Sequence, residues 1–158
     1  MNEYTAKKLG EVLAFAEVGL ESLEKGEVGI KEAVGEQNQQ NFVAQNKKHG
    51  EDIKSLAKSY DVLDVVETKA KATGEKLRAM REIYIKEDDW QDPAELMEWH
   101  GFFEGAALVH WSLIEGVAET ISEEKVLGLS KEGKDFHSLF LKEVEKSLKN
   151  IGSQKASK

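Results

Sequence analysis

Apolar residues recur every three or four positions along most of the chain, which is the spacing of one face of an α-helix. In the first such segment, Glu3 to Lys25, this apolar stripe consists of Leu9, Val12, Leu13, Ala16, Leu20 and Leu23. The same spacing predicts four further helices, at about residues 36–60, 62–86, 93–121 and 123–150. No stretch alternates apolar and polar residues as a half-buried strand would, so the sequence predicts an all-α protein.

Glycine and proline indicate where these helices begin and end. Gly26, Gly29 and Gly35 interrupt the pattern and predict a loop or a frayed start before the second helix. Asp92 and Pro93 predict a sharp start of the fourth helix, because Asp92 can accept hydrogen bonds from free backbone N–H groups and proline is tolerated in the first turn. We expect one domain over residues 1–152 and a disordered polar tail over residues 153–158.

The predicted helices differ in how much of their surface is apolar. The helix at 62–86 has only a thin apolar stripe, which is typical of a surface or crossover helix. The helix at 93–121 carries apolar residues at the seam positions of a bundle and on its other faces as well, including Phe102, Val109 and Leu113. That distribution predicts a central helix that is buried on all sides.

Charge and composition exclude several classes of function. The formal net charge is -8 and the acidic residues are spread along the chain, which disfavours binding to nucleic acid or to an anionic membrane surface. Cysteine is absent, so disulfides, thiolate zinc sites and iron–sulfur clusters are excluded. Neither a secretory signal nor a run of about 18 apolar residues is present, and we therefore expect a soluble cytoplasmic protein.

Two acids occur among the apolar positions of predicted helices, and a histidine follows each of them at nearly the same distance. Glu17 lies on the stripe of the first helix, and Glu104 lies in the middle of the fourth. His49 follows Glu17 by 32 residues, and His137 follows Glu104 by 33. Burying an unpaired carboxylate costs several kcal/mol, roughly, so each acid is expected to have a donor, a cation or a metal as its partner.

At these residues the chain resembles the ferritin-like superfamily, which includes ferritins and rubrerythrins. The segments Phe15-Ala16-Glu17 and Phe103-Glu104-Gly105 are similar to the element that supplies a glutamate from the first helix of each hairpin. Residues 46–53 resemble the element that supplies Glu-x-x-His from the second helix. The resemblance implies an up-down four-helix bundle with an additional crossover helix, and a bound iron or manganese.

The same resemblance implies that Glu17, Glu104, His49 and His137 are metal ligands. The first residue of each Glu-x-x-His is changed, to Asn46 and to Lys134, so the bridging carboxylates of a dinuclear site are missing. His100 lies four residues before Glu104, on the same helical face, and could complete a nitrogen-rich site for one metal, for which zinc is also an option. A ferritin-like metal site would serve oxygen or peroxide chemistry or metal handling.

The alternative is a protein without a metal. In that interpretation the buried charges are paired internally, with Lys134 as the counter-ion, and the protein is a homo-oligomeric assembly or protein-interaction module, with the aromatic fourth helix forming a dimer. A dimer is expected in both interpretations, and the sequence leaves open whether the protein is an enzyme. The position of the Lys134 side chain distinguishes the metal-binding interpretation from the metal-free one, because contact of Lys134 with Glu17 or Glu104 would weaken the metal hypothesis.

Overall fold

A computed structural model of the chain describes residues 1–157, and 92% of it is helical. The described residues form six α-helices and no strand, which confirms the predicted all-α class. The helices are α1 (Glu3–Lys25), α2 (Glu27–Val34), α3 (Glu36–Ser59), α4 (Leu63–Tyr84), α5 (Pro93–Ile121) and α6 (Glu124–Ala156). A short 3₁₀ helix, Glu87–Gln91, connects α4 to α5.

The predicted boundaries of α1 and α5 are confirmed. Asn2 caps α1 by accepting a hydrogen bond from the backbone N–H of Thr5 at 2.8 Å. At the start of α5, Asp92 accepts bonds from the N–H groups of Ala94 and Glu95, at 2.7 and 3.4 Å. These side chains satisfy donors that the first helical turn leaves free, and each therefore fixes the residue at which its helix begins.

Helix α2 occupies a segment that was predicted to be a loop. Its Ile30 is fully buried, and Gly29 packs so closely that a Cβ atom there would lie 2.6 Å from Leu96 Cδ1 and 3.0 Å from the carbonyl oxygen of Gln91. Gly29 therefore permits close packing against the start of α5 and does not break a helix. Gly35, with φ of 86°, is the residue at which the chain turns into α3.

The predicted end of the last helix at about residue 150 is wrong, because α6 continues through Ala156. The residues that follow Gly152 include no proline, and their serine, glutamine, lysine and alanine side chains are compatible with a helix. The disordered tail expected over residues 153–158 is therefore helical as far as Ala156. Lys158 lies outside the described residues.

Helix packing places α5 and α6 side by side over most of their length, and α1 against both α3 and α4. Helix α1 also contacts α5, whereas α3 and α6 approach each other at few points. The helix α4 packs on the outside of α1, where Arg78 and Arg81 bind Glu21. None of the helices within residues 1–157 has the length and apolar character required to cross a lipid bilayer.

One face of α5 is exposed, contrary to the prediction that this helix is buried on all sides. Phe102 is 66% exposed and Val109 is 62% exposed, and Leu113 and Ile121 also reach the surface. The opposite face carries the buried residues Leu96, His100, Phe103, Glu104, Ala107, Trp111 and Ile114. The apolar pattern alone could not separate a buried face from an exposed apolar one.

Candidate site around Glu104

Glu104 lies at the centre of the buried face of α5, and its side chain is 1% exposed. His100 precedes it by one helical turn and places Nδ1 3.1 Å from Glu104 Oε1. From the neighbouring helix α6, His137 places Nδ1 2.5 Å from Glu104 Oε2. The two imidazoles therefore hold the two oxygens of one carboxylate, and Glu104 is an acid with polar partners on both sides.

The charge state of Glu104 follows from two opposing effects. Burial raises the pKa of the carboxyl group, but the hydrogen bonds from His100 and His137 outweigh burial and hold its pKa below the ordinary value. The carboxylate is therefore ionised at neutral pH, and in that state the Nδ1 atom of each imidazole donates a hydrogen. The remaining ring nitrogen of His100, Nε2, is buried and has no hydrogen-bond partner.

An aromatic layer separates this cluster from solvent. The ring of His100 stacks on Phe140, with ring centroids 4.9 Å apart and an interplanar angle of 28°. Phe140 in turn stacks on Phe42 of α3, at 3.8 Å. Because these rings exclude water, electrostatic interactions of the carboxylate are screened less than they would be at the surface.

His49 approaches the cluster from α3 without joining it by a hydrogen bond. Its ring centroid lies 6.3 Å from that of His137 and 5.1 Å from that of Phe136, and the residue is 2% exposed. Burial lowers the pKa of His49 to about 4, with smaller contributions from the neighbouring His137 and from the positive charge of Lys48. His49 is therefore a neutral imidazole at pH 7. His137 is likewise 2% exposed, so both histidines lie in the interior.

Glu17 does not lie in the buried position that the sequence predicts for it. Its side chain is 38% exposed and forms a salt bridge with Lys54 of α3 at 2.9 Å. The prediction of a buried position was wrong because α1 packs against three other helices, so apolar residues surround much of its circumference. A position between Leu13 and Leu20 can then lie in a gap between helices, and Glu17 borders such a gap with Lys54. The structure does not bring Glu17 to the Glu104 cluster.

The two residues that interrupt the Glu-x-x-His pattern have structural partners. Asn46 is buried and donates a hydrogen bond from its amide to the carbonyl oxygen of Phe42, at 3.1 Å. Lys134 forms a salt bridge with Glu115 of α5 and contacts neither Glu17 nor Glu104. The partners of Glu104 are therefore histidines and not Lys134, and the contact that would have weakened the metal hypothesis is absent from the described residues.

Two ion-pair groups between α1 and its neighbours were not anticipated from the sequence. Glu11 pairs with Lys8 and Lys69, and Glu21 binds both Arg78 and Arg81. The arginines occur in the helix that the sequence predicts to be a surface or crossover helix, and their spacing of three residues is the only sequence signal that they share one helical face. These pairs join α1 to α4 and do not contact the Glu104 cluster.

Within residues 1–157, no group of three or more histidine, aspartate or glutamate side chains is arranged so that it could hold a metal ion as it stands. His100 and His137 bind opposite oxygens of Glu104, so their nitrogens are spread around the carboxylate and do not converge on one point beside it. The chain matches no protein-family model, and neither a curated protein nor a solved structure matches it.

Proposed function

We propose that the protein binds a single divalent transition metal at Glu104, with His100 and His137 as the other ligands. The observation that carries this proposal is a fully buried, ionised carboxylate whose only hydrogen-bond partners among residues 1–157 are two imidazoles. Hydrogen bonds from the two imidazoles satisfy the oxygen atoms of the carboxylate but do not by themselves cancel its charge. Since a buried net charge is strongly unfavourable, the cluster requires one further positive charge, from a proton or from a metal ion.

The donor set of two imidazoles and one carboxylate is suited to iron, manganese or zinc. A dinuclear centre of the ferritin type does not fit these residues, because the cluster has one carboxylate and Asn46 and Lys134 occupy the positions of the bridging acids. A mononuclear site requires that His100 and His137 exchange their hydrogen bonds to Glu104 for bonds to the ion. A metal held there would supply a Lewis acid or a centre for oxygen or peroxide chemistry, or it would be the cargo of a metal-handling protein.

We further propose that the arrangement is ferritin-like, with α1 and α3 as one hairpin, α5 and α6 as the other, and α4 as the crossover helix. The packing of α1 on α3, of α5 on α6 and of α4 outside α1 supports this assignment. In this interpretation only the second hairpin keeps a glutamate and a histidine in contact, namely Glu104 and His137. The first hairpin has His49 in the core but its acid, Glu17, at the surface.

The metal proposal is tested by elemental analysis of untagged protein that has been offered iron(II), manganese(II) or zinc(II) without oxygen and then desalted. We expect about one metal ion per chain in the parent and its loss in Glu104→Gln and His137→Gln. Glu17→Gln is the matched control, because it removes a carboxylate that lies outside the cluster, and it should keep the metal. Circular dichroism of each variant verifies that the helices are intact.

Three results would reject the proposal: a parent that takes up none of the three metals, a folded Glu104→Gln variant that keeps the metal, or a Glu17→Gln variant that loses it. In the first case the additional charge of the cluster is a proton. The protein would then belong to the metal-free class, and Glu104 would have a structural role.

A second candidate function, a metal-free homo-oligomeric or protein-interaction module, is favoured by the exposed apolar face of α5. Phe102, Val109 and Leu113 follow one another at intervals of seven and four residues along this face. Sedimentation analysis of Val109→Glu tests this function, with Val28→Glu as a control, because Val28 is equally exposed on α2. A dimeric parent that dissociates only in Val109→Glu supports the module, whereas a monomeric parent contradicts self-association.

A further inference from the structure

Helices α3 and α6 leave a groove between them, and His49 is among the residues that line it. The groove has a volume of about 660 Å³, which is within the range of small-molecule sites. We refer to it as the α3–α6 groove, and the residues that matter for its chemistry are Phe42, Lys48, His49, Glu132, Asp135 and Phe136.

The floor of the α3–α6 groove is aromatic. Phe42 and Phe136 meet edge to face, with ring centroids 6.2 Å apart. The ring of His49 meets Phe136 at 5.1 Å and at an interplanar angle of 83°. Such a floor offers flat apolar surface to a ligand ring, which would be removed from water on binding.

His49 is the polar group in this floor. It is 2% exposed, it borders the groove, and it forms no hydrogen bond to any other described residue. The ring nitrogens of His49 are not among the fully buried polar atoms that lack a partner, so they are reached from the groove and can bond to a ligand there. A ring nitrogen of imidazole that carries no proton accepts a hydrogen bond.

The charged residues of the groove lie on its walls. Lys48 forms salt bridges with Asp52 at 2.6 Å and, across the groove, with Glu132 at 3.0 Å. Asp135, on the α6 wall, has no salt bridge among the described residues and is exposed. Lys48 is thus shared by two acids while Asp135 keeps its full charge, and the groove presents a net negative wall beside an aromatic floor.

We propose that the α3–α6 groove binds a small organic cation with a flat apolar body, such as an arylalkylammonium. The ring of the ligand packs on Phe42 and Phe136, and its ammonium group donates hydrogen bonds to Asp135 and to the free nitrogen of His49. The inference is independent of the metal proposal, because neither Glu104 nor His100 takes part in it. It assigns a use to an imidazole that the Glu104 cluster leaves without a partner.

The test is a titration of chelator-treated, full-length protein with 2-phenylethylammonium, followed by two-dimensional ¹H–¹⁵N spectra. The uncharged probe 2-phenylethanol has the same ring and the same length. We expect saturable shifts confined to residues 38–49 and 132–139, and about tenfold weaker binding of the alcohol, because it lacks the charge-assisted bond to Asp135. Asp135→Asn should reduce the affinity for the ammonium by a similar factor and leave the affinity for the alcohol unchanged.

Two further variants separate the groove from the overall charge of the protein. Asp88→Asn removes a negative charge from the 3₁₀ helix, outside the groove, and should leave binding unchanged. His49→Gln should weaken binding of the ammonium several-fold, since the amide does not reproduce the position of the ring nitrogen. The inference is overturned if the two probes bind equally, if the shifts lie elsewhere, or if Asp135→Asn binds as the parent does. Because Asp135 is exposed, that last comparison does not depend on the stability of the His49 variant.

Discussion

Gly133 of α6 packs against Trp111 of α5, and replacing it with alanine tests the packing beside the candidate site. A Cβ atom on Gly133 would overlap Cε2 of Trp111 and would lie 2.5 Å from its Cδ2 and 2.6 Å from its Nε1. Trp111 is 1% exposed and its indole is held among core residues, so the ring has little room to move. Overpacking of this kind costs about 1–3 kcal/mol.

Gly128, five residues earlier in the same helix, provides a matched control. A Cβ atom there would meet nothing within 4 Å. Alanine in a helix is about 0.5–1 kcal/mol more favourable than glycine, so Gly128→Ala should raise the free energy of unfolding by that amount. The same gain applies to Gly133→Ala, which we nevertheless expect to lower the free energy of unfolding by about 1–2 kcal/mol after the clash is included.

The measurement is urea denaturation followed by circular dichroism, with the slope checked for constancy between variants. A double-mutant cycle with Trp111→Leu assigns the cost to the indole, because the penalty of Gly133→Ala should disappear once the ring is removed. If Gly133→Ala is as stable as Gly128→Ala, α5 and α6 do not approach as described. The positions of His137 and Glu104, which depend on the same helix pair, would then be in doubt.

Three other predictions concern the ionisable groups. The pKa of His49 is about 4 in the folded protein and about 6.5 in the unfolded chain. Its contribution to stability is therefore fully present above pH 6.5 and is lost as the pH falls to about 4. His49→Gln should remove this pH dependence, which amounts to about 3 kcal/mol in the free energy of unfolding between pH 7 and pH 4 and is measured by urea denaturation at each pH. An equal pH dependence in parent and variant would contradict the buried neutral imidazole. Glu17→Ala should change the free energy of unfolding by less than about 1 kcal/mol, because the salt bridge of Glu17 to Lys54 is exposed. A loss of several kcal/mol would instead indicate that Glu17 is buried, as the sequence predicts. Lys48→Met should raise the affinity of the α3–α6 groove for 2-phenylethylammonium, because Glu132 loses its competing cation, and a lower affinity would show that Lys48 supports the groove.

Helix boundaries were predictable where a side chain or a backbone requirement fixes them locally. Asn2 and Asp92 cap their helices through bonds to residues two or three positions away, so that information is contained in a few adjacent letters. Gly29 shows the limit of such signals, because glycine is required there by the close approach of Gln91 and Leu96. Close packing between segments distant in the sequence has no local signature.

The candidate site was predictable in part for the same reason. Glu104 and His100 lie one turn apart on a helix, so their contact follows from spacing alone, and the pairing of His137 with Glu104 followed from the repeated interval. Glu17 has the same spacing to His49 but lies at the surface, because α1 is surrounded by three helices and its apolar pattern does not define one inner face. The α3–α6 groove had no sequence signal, since it lies between two helices that are distant in the sequence and contact each other at few points.

The connection between α5 and α6 has a consequence for the order in which the chain folds. Only Ser122 and Glu123 separate the two helices, and Ser122 adopts the left-handed conformation with φ of 56°. Closing so short a loop costs little entropy compared with bringing α1 to α5 across the intervening helices. We therefore expect the α5–α6 hairpin to be structured in the folding transition state. Gly133→Ala, within this hairpin, should then slow folding, whereas a substitution of Lys54 in α3 should mainly speed unfolding.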